Sequence, residues 1–344
     1  MQHIGYAMVE RKPTRSPKMR SSLLFLFLLS CCSTFLFAEE SDTAASEQSL
    51  VERLGFAPDA RVLIINGDDF GMNQATNTGT LKALKNGVMT SSTIMACCPW
   101  FEDAVAIAKK NPKANLGVHT TLTSEWSHYK WGPVLGCSAV PNLCTDKGYF
   151  HADVFSIYAG PSLDEAELEV RAQIDKMLKA GIDVTHIDSH MGAMQYDSDY
   201  HARLIRIAAS YNLPCRLPGR DLLQALGQEQ LLDLAKELNV LGPEVLYMGD
   251  PDSLEGTEAW FKDRMSNIDK GKVSEMYIHC AVDTPEMHAT TSSTKRRIAD
   301  TEFFSDPATR RWVKEQGIEL ISYRELRELQ RTGKAMPRVE YTGW

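Results

Sequence analysis

From about residue 54 onward, short apolar runs bounded by turn residues alternate with amphipathic stretches. Arg61-Val-Leu-Ile-Ile-Asn66 is an unbroken apolar run of strand length, the pattern of a strand buried on both faces. Residues 73–86 follow as a helix, with Gly87 behind it as a stop. The same reading predicts strands over 89–96, 115–119, 183–187, 274–280 and 318–322, and helices over 100–110, 163–180, 200–211, 257–270 and 307–316. Strand followed by helix, repeated, specifies an α/β fold with a parallel sheet covered by helices. The number of units favours closure into a barrel over an open sheet. Residues 124–160 break the alternation and carry Trp126, Tyr129, Trp131, Tyr149 and Phe150. An aperiodic stretch this long inside a compact domain is expected to be a functional loop.

The 344 residues hold 37 Lys and Arg against 45 Asp and Glu, a net charge of −8, which leaves no basic surface for nucleic acid. With 43% hydrophobic residues and no repeat, the composition is that of an ordinary globular chain large enough to bury a sizeable core. The N-terminus stands apart. Arg11, Lys12, Arg15, Lys18 and Arg20 precede an apolar run from Leu23 to Ala38, the layout of a secretory signal. The run is short for a membrane span of about 20 apolar residues. Cleavage after Ala38 and acylation of Cys31, which ends Leu28-Leu-Ser-Cys31, are both open, and a membrane is a partner only in the second case. Export would leave a chain of net charge −12, since residues 1–38 hold five basic groups and one acid. The expected segments are a signal over 1–38, a polar linker over 39–53, a main folded domain over 54–332 and a tail over 333–344. An oxidising compartment would permit a disulfide between Cys137 and Cys144, with free thiols as the alternative.

Candidate chemistry collects at the predicted strand ends. Asp68 and Asp69 follow the first strand, His119 ends the third, His190 follows the fourth and His279 ends the run Glu275-Met-Tyr-Ile-His279. In parallel α/β proteins the C-terminal edge of the sheet is where sites are assembled. Neighbouring residues on a regular strand face opposite ways, so Asp68 and Asp69 share a site only if the strand has ended by then, with Gly67 and Phe70-Gly71 supplying the turn. Asp69-Phe-Gly71 is also a kinase motif, but neither a Gly-rich loop nor a His-Arg-Asp loop precedes it. In His186-Ile-Asp-Ser-His190 a continuing strand would spread residues 186 to 190 over roughly 13 Å, too far for both histidines to bind one ion. His190 is therefore assigned to a metal, Asp188 to orienting a ligand, and His186 to packing lower in the barrel. A carboxylate with two imidazoles and open positions can acidify water, although redox iron uses the same set.

Ile65-Asn-Gly-Asp-Asp-Phe-Gly-Met72, Gly87-Val-Met-Thr-Ser-Ser92, Gly117-Val-His-Thr-Thr-Leu-Thr123, Thr185-His-Ile-Asp-Ser-His190, the strand ending at His279, and Gly317-Ile-Glu-Leu-Ile-Ser322 together resemble the YdjC-like carbohydrate deacetylase family. The resemblance runs in order from about residue 60 to 330. It implies a deformed TIM-type (β/α) barrel, like that of polysaccharide deacetylases, and one divalent ion, Mg2+ or Zn2+, on Asp69, His119 and His190. It also implies a hydrolase of amide bonds acting on acetylated amino sugars or oligosaccharides. Asp68 would take the proton from water, and His279 would protonate the departing amine. Two places depart from the family: Met191-Gly-Ala-Met194 stands where further histidines are common, and Cys280-Ala281 where Pro-Gly is common. An O-acetyl esterase and a non-catalytic carbohydrate-binding barrel are the competing readings. The retained Asp68, Asp69, His119, His190 and His279 argue against the second, because binding a sugar needs no such set.

Overall fold

The computed structural model describes residues 48–160, 162–249, 256–338 and Tyr341. Among them seven strands, all paired in parallel, make one curled sheet: β1 Arg61–Phe70, β2 Ser91–Ile94, β3 Leu116–Thr120, β4 Val184–Ser189, β5 Val245–Tyr247, β6 Lys272–His279 and β7 Ile318–Leu320. Their order is β4-β3-β2-β1-β6-β5, with β7 beside the first residues of β1. β1 is the spine because it is apolar to both sides: Val62, Leu63, Ile64 and Ile65 are fully enclosed, and the strand pairs with β6 from Arg61↔Lys272 to Asp68↔His279. Beyond β4 the ladder gives way to irregular backbone. Ile187 N–H donates to the Pro214 carbonyl, Arg216 N–H returns to Ile187, and Cys215 N–H donates to Leu241, shortly before β5. The expected barrel is thus present in deformed form, drawn together beyond β4 by main chain that is not strand.

The two faces of β1 differ in kind, as the two-residue period of a strand allows. Leu63 and Ile65 pack with Leu84, Met89, Phe261, Met276 and Ile278 in an apolar cluster. Val62 and Ile64 pack with Ile321, Tyr323 and Leu326, and the next residues along their face are Asn66 and Asp68. The interior therefore passes from an apolar floor to a polar upper part. His186 marks the change: its ring stacks on Tyr323 at 3.7 Å between centroids with planes 3° apart, and its Nε2 lies 3.2 Å from Asn66 Oδ1. A Cβ on Gly117 would come within 2.5 Å of His186 Nδ1, so β3 can pass this ring only as glycine.

Besides β5, which the sequence reading does not contain, and element ends displaced by a few residues, three stretches differ from that reading. β1 does not stop near Asn66 but runs to Phe70 through a bulge between Gly67 and Phe70. Within the described residues the linker expected up to 53 yields at Ser49, which shares a capping box with Glu52 of the helix Leu50–Arg53; the apolar Val51 of that helix is fully buried. Residues 124–160 are packed rather than loose. They contain a 3-10 turn at Pro141–Leu143, a helix at Val154–Tyr158 and a disulfide between Cys137 and Cys144, with Trp126, Trp131 and Phe150 buried and Tyr149 exposed. The expected signal, Cys31 and residues 39–47 lie outside the described residues.

Candidate metal centre

Three strands deliver the expected ligands to one point. At the end of β1, Asp69 takes a left-handed φ of 69°, a conformation that aspartate tolerates better than most residues. The bulge breaks the alternation, so Asp69 need not point away from the face that carries Asp68. Asp69 Oδ1 lies 3.3 Å from His119 Nε2 and 3.3 Å from His190 Nδ1, and the two ring nitrogens are themselves 3.3 Å apart. The centre of such a triangle is about 1.9 Å from each corner, so all three atoms could reach one ion at bonds of about 2.0–2.2 Å. Asp69 Oδ1 is buried and has no hydrogen-bond partner. An orphaned carboxylate oxygen facing two imidazole nitrogens fits a divalent cation.

A second group, Asp68, His119 and Asp188, also brings ligand atoms within 4.8 Å of one another. Its carboxylates are already occupied. Asp68 accepts from Asn66 and Arg216 on Oδ1 and from Arg216 on Oδ2, while Asp188 accepts from Thr93 on Oδ2 and meets His119 Nδ1 at 2.7 Å with Oδ1. Asp188 thus lies behind His119, on the ring nitrogen turned away from Asp69. His119 can give its Nδ1 proton to Asp188 and present the Nε2 lone pair to an ion, and His190 is backed in the same way by Glu125 Oε2, 2.9 Å from its Nε2.

The charges are balanced by residues that the sequence did not reveal. Arg216, buried to 3% exposure, holds Asp68 with two nitrogens and also contacts Asp188 and Glu275. Arg297 donates from Nη2 to Asp69 Oδ2 at 2.7 Å. Burial pushes the Asp68 carboxyl up, but Arg216 outweighs it and holds the group at about 2. Burial likewise pushes both histidine rings down, yet the Asp188 and Asp68 charges raise His119 well above its ordinary value, and Glu125 with Asp69 raises His190 to about 9. The part-buried His279 ends β6 in register with Asp68, its backbone N–H bound to Asp300 and its ring against Tyr277. Burial lowers its pKa, with Asp69 opposing.

The Trp131 ring lies edge-on to His190 at 6.1 Å, with Trp126 beside it. Glu125, Trp126 and Trp131 all belong to the aperiodic segment, which gave only its aromatic content as a signal.

The chain is 29% identical over 270 residues to a carbohydrate deacetylase of Geobacillus stearothermophilus, covering 78% of this chain and 99% of the relative. A carbohydrate deacetylase of Brevibacillus brevis is 27% identical over 264 residues, covering 77% and 99%. A crystal structure from Enterococcus faecalis, named for cellobiose-phosphate cleavage, superposes with a TM-score of 0.67 at 28% identity, covering 78% of this chain and 99% of that one. The family model described as YdjC-like protein matches residues 62–315, which takes in all three corners of the triangle. The chain belongs to the YdjC-like family.

Proposed function

We propose that the protein is a metal-dependent hydrolase that removes N-acetyl groups from acetylated amino sugars or oligosaccharides. The observation that carries the reading is the triangle of Asp69 Oδ1, His119 Nε2 and His190 Nδ1, with its one orphaned oxygen. It is joined by membership of a family whose relatives are named carbohydrate deacetylases. Two imidazoles and one carboxylate suit Zn2+ or a similar first-row ion better than Mg2+, which prefers oxygen ligands. Such an ion acidifies water and polarises a carbonyl oxygen.

The chain's own residues supply the rest. Asp188 and Glu125 hold the outer nitrogens of His119 and His190 and so fix which nitrogen each ring turns inward. The proton transfers fall to Asp68 as base toward water and His279 as acid toward the leaving nitrogen. A second reading gives both transfers to His279. It is favoured by the tight hold of Arg216 on Asp68, because a carboxylate held at about 2 is a weak base, whereas a histidine lowered by burial starts neutral and can take a proton before returning it.

Incubating the purified protein with N-acetylated and O-acetylated oligosaccharides, and following loss of one acetyl group by mass spectrometry with and without chelator, tests the proposal. Amine release that stops on chelation is expected. Release of alcohol alone would make the protein an esterase, and no release from any glycan would leave only a binding role. We further propose export to an oxidising compartment, supported by the Cys137–Cys144 disulfide. N-terminal sequencing that returns an intact Met1 would overturn it.

A further inference from the structure

We propose that Arg297 regulates the metal centre, capping the outer oxygen of Asp69 and placing a fixed positive charge beside the ion, so that the site binds the ion more weakly than its three donors alone would. The inference rests on the reading that Asp69, His119 and His190 take a divalent ion.

Arg297 is held on several sides. It sits on the helix Thr294–Ser305, its carbonyl accepts from Ala281 N–H, its Nε donates to Ser293 Oγ at 3.0 Å, and its guanidinium lies over Trp126 at 5.5 Å. It is 6% exposed, and its Nη2 donates to Asp69 Oδ2 at 2.7 Å. Two consequences follow from that bond. An Asp69 oxygen committed to a guanidinium leaves one oxygen for an ion, since chelation by both would break a short charge-assisted bond. The guanidinium is also a cation, so an ion on Oδ1 would have a positive neighbour just across one carboxylate. Arg216 is different, because three carboxylates surround it, whereas among the described residues Asp69 is the carboxylate that Arg297 is seen to pair with. Repulsion between a divalent ion and a buried monovalent charge a few ångströms off amounts to roughly tenfold or more in affinity. A purely structural arginine predicts the reverse, because removing it would loosen Asp69 and weaken the site.

Zn2+ titration against a competing chelator separates the two, using wild type, Arg297→Met, Arg297→Lys and Asp69→Asn. The expected result is about tenfold or greater tightening in Arg297→Met and little change in Arg297→Lys, which keeps the charge. Affinity in Arg297→Met equal to or weaker than wild type overturns the inference while leaving the metal centre intact. If Arg297→Met does not fold, Arg297→Gln, a neutral side chain that can still donate to Asp69, carries the same expectation and the same refutation. Wild-type affinity unchanged in Asp69→Asn would instead remove the metal centre itself, and this inference with it.

Discussion

Asp68 and Asp69 are adjacent, yet one has every oxygen satisfied and the other leaves one bare. The left-handed turn at Asp69 makes the difference, and it costs on the order of 1–2 kcal/mol that a regular strand would not spend. His279 is the residue whose role most needs a decision. If it only protonates the leaving nitrogen, His279→Ala should lower amide turnover by about 10²- to 10⁴-fold, leaving activated acetate esters and bound metal nearly unchanged. If it carries both protons, ester turnover should fall as well. Measuring kcat on an N-acetyl sugar and on an aryl acetate decides between these, and a wild-type rate on both would exclude His279 from the chemistry. Asp69, His119, His190 and Asp188 could be read from the sequence because each sits at or beside the end of an apolar run. Arg216 could not, since it lies between Pro214 and Pro218 in backbone without period. Lys295-Arg-Arg297 carries no apolar signal, although Arg297 is buried.

Among the elements, six of the seven described strands were legible, whereas β5, three half-buried residues from Val245 to Tyr247, and part of the helical layer were not. The helix Thr294–Ser305 shows why: its buried side includes Thr294, Arg297, Asp300, Thr301 and Ser305, so it offers little apolar stripe to detect. Residues 124–160 failed the periodicity test for a different reason, being held by a covalent link and by aromatic packing. That link makes a prediction. Replacing Cys137 and Cys144 with Ser removes a short cross-link, which should cost about 2 kcal/mol and lower Tm by several degrees. Because the same segment carries Glu125 against His190, the rise in Tm on adding Zn2+ should shrink too. Calorimetry of the double variant with and without the ion reads both effects. An unchanged Tm and an unchanged ion-induced rise would mean that the disulfide supports neither the segment nor the site.

At the scale of the whole molecule, the charged interior couples stability to pH. In the ion-free protein His190 is held at about 9, above its ordinary 6.5, with burial opposing and Glu125 and Asp69 prevailing. A raised folded pKa means that the contribution is fully present below pH 6.5 and is lost as pH rises through 9; its size is on the order of 3 kcal/mol. An ion bound at His190, as proposed, would replace that proton and would not leave as the pH rises. The drop in Tm on chelation should therefore widen from pH 6.5 to pH 9, which thermal scans with and without chelator will show; a constant gap would mean that His190 does not titrate in this range. The stacked pair of His186 and Tyr323, set on Val62, Ile64 and Ile321, gives the barrel a dry floor beneath these charges. With that floor closed, anything that reaches Asp69, His119 and His190 would have to come from the other end of the interior and leave the same way, so an obstruction there would slow arrival and departure alike.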